Sequence, residues 1–140
     1  MEAINIKQGA HSELLLQLAQ IQSELKAPKG QRNTFGKYNY RSCEDILEAV
    51  KPLLKERGLV ILITDDIVQI GERYYVRATA TIYDSDGSFI SNSALAREEL
   101  KRTGMDASQI TGATSSYARK YALNGLFAID DTKDADATNK

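Results

Sequence analysis

Arg73-Tyr74-Tyr75-Val76-Arg77-Ala78-Thr79-Ala80-Thr81-Ile82-Tyr83 is the stretch on which the fold turns. Its even positions, Tyr74, Val76, Ala78, Ala80 and Ile82, are apolar or aromatic. Its odd positions, Arg73, Tyr75, Arg77, Thr79, Thr81 and Tyr83, are polar, basic or aromatic. A period of two over this length predicts a strand with one core face and one open face. Asp84-Ser85-Asp86-Gly87 supplies a hairpin turn, and residues 88–96 return as the next strand. On the N-terminal side Gly71-Glu72 turns the chain and residues 67–70 read as a short strand. Asp65-Asp66 reads as a second turn, and residues 59–63 as a strand apolar on both faces. Such short connections give an antiparallel meander of three or four strands.

A meander with one apolar face needs a cover, and Gln109-Ile110-Thr111-Gly112-Ala113-Thr114-Ser115-Ser116-Tyr117-Ala118-Arg119-Lys120-Tyr121-Ala122-Leu123 can supply it. Ala107, Ile110, Ala113/Thr114, Tyr117, Ala118 and Tyr121 recur at helical steps, which predicts that both tyrosines face the core. Ser108, Gly112, Ser115 and Arg119 form a second stripe, nearly bare until it ends in a guanidinium beside Lys120. A glycine inside a helix costs roughly 1 kcal/mol against alanine, so Gly112 calls for a reason. Close packing against a neighbouring element is one; approach of a phosphate to the paired cations is another. Asp106 or Thr103 can cap this helix, and Asn124-Gly125 is expected to end it.

Upstream, Leu14, Leu18, Ile21 and Leu25 fall on one stripe, widened by Leu15 and Leu16, which predicts a first helix over residues 13–25 capped by Ser12. A second helix starts at Ser42, with Asp45 completing a capping box and Gly58 closing it. Its apolar face is Cys43, Ile46, Leu47, Val50, Leu53 and Leu54, and Pro52 predicts a loosened turn near Glu48. Between these helices residues 26–41, KAPKGQRNTFGKYNYR, read as the least regular part of the chain. They hold five cations and no acid, interleaved with Phe35, Tyr38 and Tyr40. Single-stranded nucleic acid wants this pattern, with cations for phosphates and rings for bases. A solvated loop whose aromatics tuck into the core is the plainer alternative.

The 140 residues suffice for one domain with a real core. Hydrophobic content of 42% and charged content of 26% are those of a soluble globular protein. No stretch is apolar for the ~20 residues a membrane span needs, and residues 1–10 have no signal-peptide core. One cysteine rules out an internal disulfide and fits a reducing cytoplasm. With one cysteine and one histidine, metal sites and Ser-His or Cys-His catalysis are not expected. The net charge is −1, yet its distribution is uneven: residues 26–41 are basic, and residues 130–140 hold four Asp against two Lys. Residues 1–11 are expected to be a flexible arm, residues 1–129 to include the whole folded domain, and residues 130–140 to be a disordered acidic tail. The predicted architecture is α+β: N-terminal helices, an antiparallel meander, then a helix packed on it.

Two stretches carry a family resemblance. Phe35-Gly36-Lys37-Tyr38-Asn39-Tyr40-Arg41-Ser42 with Glu44-Asp45-Ile46 resembles the N-terminal signature of the ERF (essential recombination function) family of phage-type single-strand annealing proteins. Gln109, Gly112-Ala113 and Ser116-Tyr117-Ala118-Arg119-Lys120-Tyr121-Ala122-Leu123, followed by Asp130-Asp131, resemble its second signature. Three positions depart from the pattern: Thr111 stands where an aromatic is frequent, Ser116 replaces Thr and Lys120 replaces Arg. Members of the family often continue into a further C-terminal region.

The resemblance implies a β-β-β-α core, homo-oligomeric rings or arcs on DNA, and annealing of complementary strands in phage recombination. It implies no ATP, no cofactor, no catalytic residue and no metal, within the cytoplasm of a bacterial host. It implies single-stranded DNA as ligand and a host single-strand-binding protein as a possible further partner. The residues expected to contact DNA are Lys29, Arg32, Lys37, Tyr38, Tyr40, Arg41, Arg73, Arg77, Lys101, Arg102, Arg119 and Lys120. An alternative for Arg119 is an ion pair at a subunit interface. Two other functions compete. One is an oligomeric scaffold that recruits recombination or replication partners without annealing. The other is a small nuclease holding a divalent ion with Asp65, Asp66 and Glu72.

Overall fold

A computed structural model of the chain describes residues 11–99 and 105–130. The expected arm before His11 and the acidic stretch after Asp130 lie outside them. The element order is α1 (His11–Glu24), β1 (Gln31–Asn33), β2 (Tyr38–Tyr40), α2 (Cys43–Glu56), β3 (Val60–Ile70), β4 (Arg73–Tyr83), β5 (Phe89–Arg97) and α3 (Ala107–Phe127). Strands β3, β4 and β5 form an antiparallel sheet in sequence order, and β1 pairs with β2 as a separate hairpin. The α+β class and the meander stand as predicted, with three strands.

Strand β4 alternates as its sequence demands. Val76, Ala78, Ala80 and Ile82 are buried, and α3 lies across them. Tyr74 departs from that face and is 45% exposed. It occupies the sheet's last rows opposite Gln69, where neither neighbour offers apolar cover. Strand β3 corrects the predicted turn at Asp65-Asp66: it pairs with β4 without a break from Val60 to Ile70. Two consecutive aspartates are poor strand formers, but each finds an arginine here, and those partners are far away in sequence or across the strand.

Helix α3 buries Ile110, Thr114, Ala118, Ala122, Leu123, Leu126 and Phe127. Tyr117 and Tyr121, expected in the core, are 52% and 50% exposed. The reason is the size of what they would meet. Ala118 and Ala122 on α3 and Ala78 and Ala80 on β4 are all fully buried, and α3 packs on β4, so small side chains serve both sides of the helix–sheet seam. A ring does not fit such a contact, and the preceding residue on a helix lies ~100° round. The helix also runs past Asn124-Gly125 and ends at Ala128, whose φ of 56° is left-handed. Gly125 continues the helix because it meets β5: a Cβ there would lie 2.2 Å from Asn92 Nδ2. The Asn92 amide donates to the Ala122 carbonyl at 3.0 Å.

The N-terminal helices complete the core. Leu14, Leu18 and Ile21 are buried on α1, whereas Leu15 and Leu16 are exposed instead of widening the stripe. Helix α1 begins at His11, so Ser12 lies inside it. Helix α2 buries Cys43, Ile46, Val50 and Leu54 and runs unbroken through Pro52. Arg57 fastens its end, donating to Leu53 O at 3.0 Å and to Glu24 Oε2 of α1 at 2.9 Å. Gly58 follows with a φ of 68°, as a helix-closing glycine should.

Candidate nucleic-acid interface

The segment read as irregular is a short hairpin. Gln31 faces Tyr40, Arg32 faces Asn39 and Asn33 faces Tyr38. Its local chemistry explains it. Asn33 Oδ1 accepts from Gly36 N at 2.8 Å, Lys37 takes a φ of 57°, and Arg32 Nη1 reaches Asn39 Oδ1 at 3.2 Å. The hairpin is seated on the N-terminus of α2 by Asp45. That carboxylate accepts from Ser42 N at 2.9 Å while Ser42 Oγ accepts from Asp45 N at 3.1 Å. Gln31 Nε2 also reaches it at 3.5 Å, and a Cβ on Gly30 would press within 2.8 Å of Oδ1. Partial burial works to raise the Asp45 carboxyl, but the hydrogen bonds from Ser42, Gln31 and Gly30 outweigh it and hold the group below its ordinary value.

The C-terminal end of this hairpin opens on a cleft of about 230 Å³. One wall is Tyr40, Arg41, Ser42, Cys43 and Glu44; the other is Ala113, Ser116, Tyr117 and Lys120 of α3. Lys120 Nζ stands 5.9 Å from the centre of the Tyr40 ring, within cation–π range. Arg41 Nε donates to the Ala27 carbonyl at 2.6 Å, which ties the two ends of the basic segment together. Cys43 is nearly buried in the cleft wall; burial first, then the Glu44 charge, pushes its thiol pKa up. A larger hollow of about 560 Å³ runs along the outer side of α2, among Glu44, Leu47, Glu48 and Lys51. It draws on a single helix with mixed charges, so the smaller cleft, where distant elements converge, is the better candidate.

The predicted site residues divide into groups. Tyr40, Arg41 and Lys120 meet in the cleft. Arg32 and Lys37 are exposed on the hairpin, Lys29 is half-buried before it, and Tyr38 pairs within it. Arg119 instead faces β3: its Nε lies 3.1 Å from Asp65 Oδ1 and its Nη2 3.2 Å from Oδ2, with Ser115 Oγ donating to the same carboxylate. Asp65 thus accounts for part of the small-residue stripe, while Gly112 has nothing within 4 Å of its would-be Cβ. Arg77 lies on the opposite face of the sheet and grips Asp66 with Nε and Nη2, which holds that carboxyl below its ordinary value. Arg73 starts the same strand. Lys101 and Arg102 lie outside the described residues. Ser116 and Tyr117 were not among the predicted contacts, and Phe35 was read only as one of the rings interleaved with the cations. Tyr117 was misplaced because its spacing fits the apolar stripe; the signal that could have corrected it is the alanine that follows.

The cleft therefore joins two stretches that are remote in sequence and that each carry half of the family pattern. Comparison with known proteins identifies the family. The model of the ERF superfamily matches residues 16–140.

This chain belongs to the ERF superfamily.

Over 124 residues it is 68% identical to the "Essential recombination function protein" of Salmonella phage P22, an alignment covering 89% of this chain. It covers 59% of that relative, so the ERF chain here spans somewhat over half the relative's length. No solved structure matches it. Both ERF signatures lie inside the matched region, and in three dimensions they form the two walls of the cleft. Among the described residues no helix is long and apolar enough to cross a membrane.

Proposed function

We propose that this chain acts in phage homologous recombination by binding single-stranded DNA and annealing complementary strands as a homo-oligomer. The observation that carries this is the convergence of the two ERF signatures on one cleft, where Tyr40, Arg41 and Lys120 adjoin the basic hairpin. The name of the P22 relative supports the recombination role. Annealing requires no bond chemistry: a track of cations holds the sugar–phosphate backbone, the bases stay accessible, and a second strand pairs with them. Neither a nucleotide nor a catalytic residue enters. A nuclease centre on Asp65 and Asp66 is disfavoured, because neighbours on a strand point to opposite faces and each carboxylate holds an arginine. Repetition of the cleft in an oligomer would multiply a small number of cations into a continuous path.

Fluorescence anisotropy of a labelled oligonucleotide, titrated at rising salt, tests the binding. The logarithm of affinity should fall against log salt by about 0.7 for each phosphate neutralised. Lys120→Ala should weaken binding and reduce that slope, and strand pairing followed by energy transfer should slow with it. Affinity for single strands that ignores salt, or a Lys120→Ala variant that binds and anneals like the parent, argues against this function. Retained strand binding without any acceleration of pairing favours the scaffold alternative.

A further inference from the structure

The tip of the basic hairpin presents Phe35, which is 99% exposed; the next most exposed large apolar side chain among the described residues, Leu16, is 66%. The turn beneath it is built by its own bonds, from Asn33 Oδ1 to Gly36 N and from Arg32 across to Asn39. The ring is therefore held out by a hydrogen-bonded turn with no apolar contact to repay it in this protomer. Its surroundings say what it fits. Arg32 and Lys37 are exposed on the same hairpin, and residues 26–41 contain no acid at all. A flat apolar ring flanked by cations matches a flat base flanked by phosphates better than it matches an apolar protein pocket. Tyr40 cannot serve equally, since one of its ring faces is taken by Lys120.

We propose that Phe35 is a stacking platform for one nucleobase of the bound strand, so that the DNA runs from the cleft out along the hairpin. This rests on the single-strand binding proposed above. At ~3.3 Å per residue the hairpin carries the tip roughly 10–15 Å beyond the cleft. Phe35 then marks the outer end of each protomer's footprint.

The chain contains no tryptophan, so Phe35→Trp installs a single indole that reports on the tip alone. The full-length variant is titrated with an unlabelled thymidine oligonucleotide while anisotropy of a labelled copy is followed in parallel. Indole emission should be quenched about twofold or more, in step with binding. Phe35→Ala should weaken binding about fivefold or more without changing the salt slope, since no charge is lost. Circular dichroism of both variants should match the parent, because the position makes no packing contact. Normal anisotropy with unchanged indole emission, and Phe35→Ala binding like the parent, overturns the assignment and leaves the DNA-binding function standing. Indole emission that shifts to the blue with protein concentration alone places the tip in another protein copy and overturns it too. If the unsubstituted chain leaves the oligonucleotide anisotropy flat, the function itself fails and this assignment falls with it.

Discussion

Alanine at either glycine of α3 should move stability in opposite directions. At Gly112 a Cβ meets nothing within 4 Å, and the position is exposed in the helix interior. Gly112→Ala should therefore gain the full propensity difference, about 0.8–1 kcal/mol. At Gly125 the new Cβ would lie 2.2 Å from Asn92 Nδ2 and 3.1 Å from its Cγ. Turning the amide over would set its oxygen against the Ala122 carbonyl, so Asn92 must change its first torsion and give up its bond to Ala122. The lost bond and overpacking cost about 2–3 kcal/mol, against which the alanine returns about 1. The net is a destabilisation of about 1–2 kcal/mol. For a chain of this size melting should shift by about 3–4 °C per kcal/mol: upward for Gly112→Ala, downward for Gly125→Ala. Urea unfolding followed by circular dichroism measures both. Asn92→Ala should remove most of the cost of Gly125→Ala, because the two side chains compete for one space. Equal shifts of the same sign, or a Gly125→Ala cost that survives in the Asn92→Ala background, would refute the packing argument.

Four further outcomes follow from the described geometry. Asp65→Asn should lower stability by about 0.5–1 kcal/mol at low salt, since Arg119 is 40% exposed, and the deficit should shrink near 1 M salt in urea titrations. Ser42→Ala should cost about 1 kcal/mol through the α2 cap. The Asp45 carboxyl is depressed on folding, so its stabilisation is present above the unfolded value of about 3.9 and is lost as pH falls through the folded value. The difference between parent and Asp45→Asn in urea midpoint should therefore narrow below about pH 4. Cys43, nearly buried and with its thiol pKa raised, should react with a thiol reagent at pH 8 far more slowly in the native chain than in the urea-unfolded one. Fast native labelling would contradict that burial.

Local pattern settled much of this protein. The alternation in residues 73–83, the capping pair Ser42 and Asp45, and the helix stops at Gly58 depend on neighbours a few residues away, and each is where the sequence puts it. The family signatures were legible for the same reason, being runs of contiguous residues. What failed depended on partners that no local window contains. Asp65-Asp66 looks like a turn until Arg119 and Arg77 arrive to neutralise both carboxylates in mid-strand. Tyr117 and Tyr121 fit an apolar stripe by spacing, but the buried positions of that face go to Ala118 and Ala122, on a helix that packs against a strand whose own buried residues include Ala78 and Ala80. Gly112 drew notice for a tight contact that belongs to Gly125, because only β5 brings Asn92 against the helix. Spacing alone tells which residues share a face; which face is covered, and by what, is set by atoms that the chain brings back from far along its length.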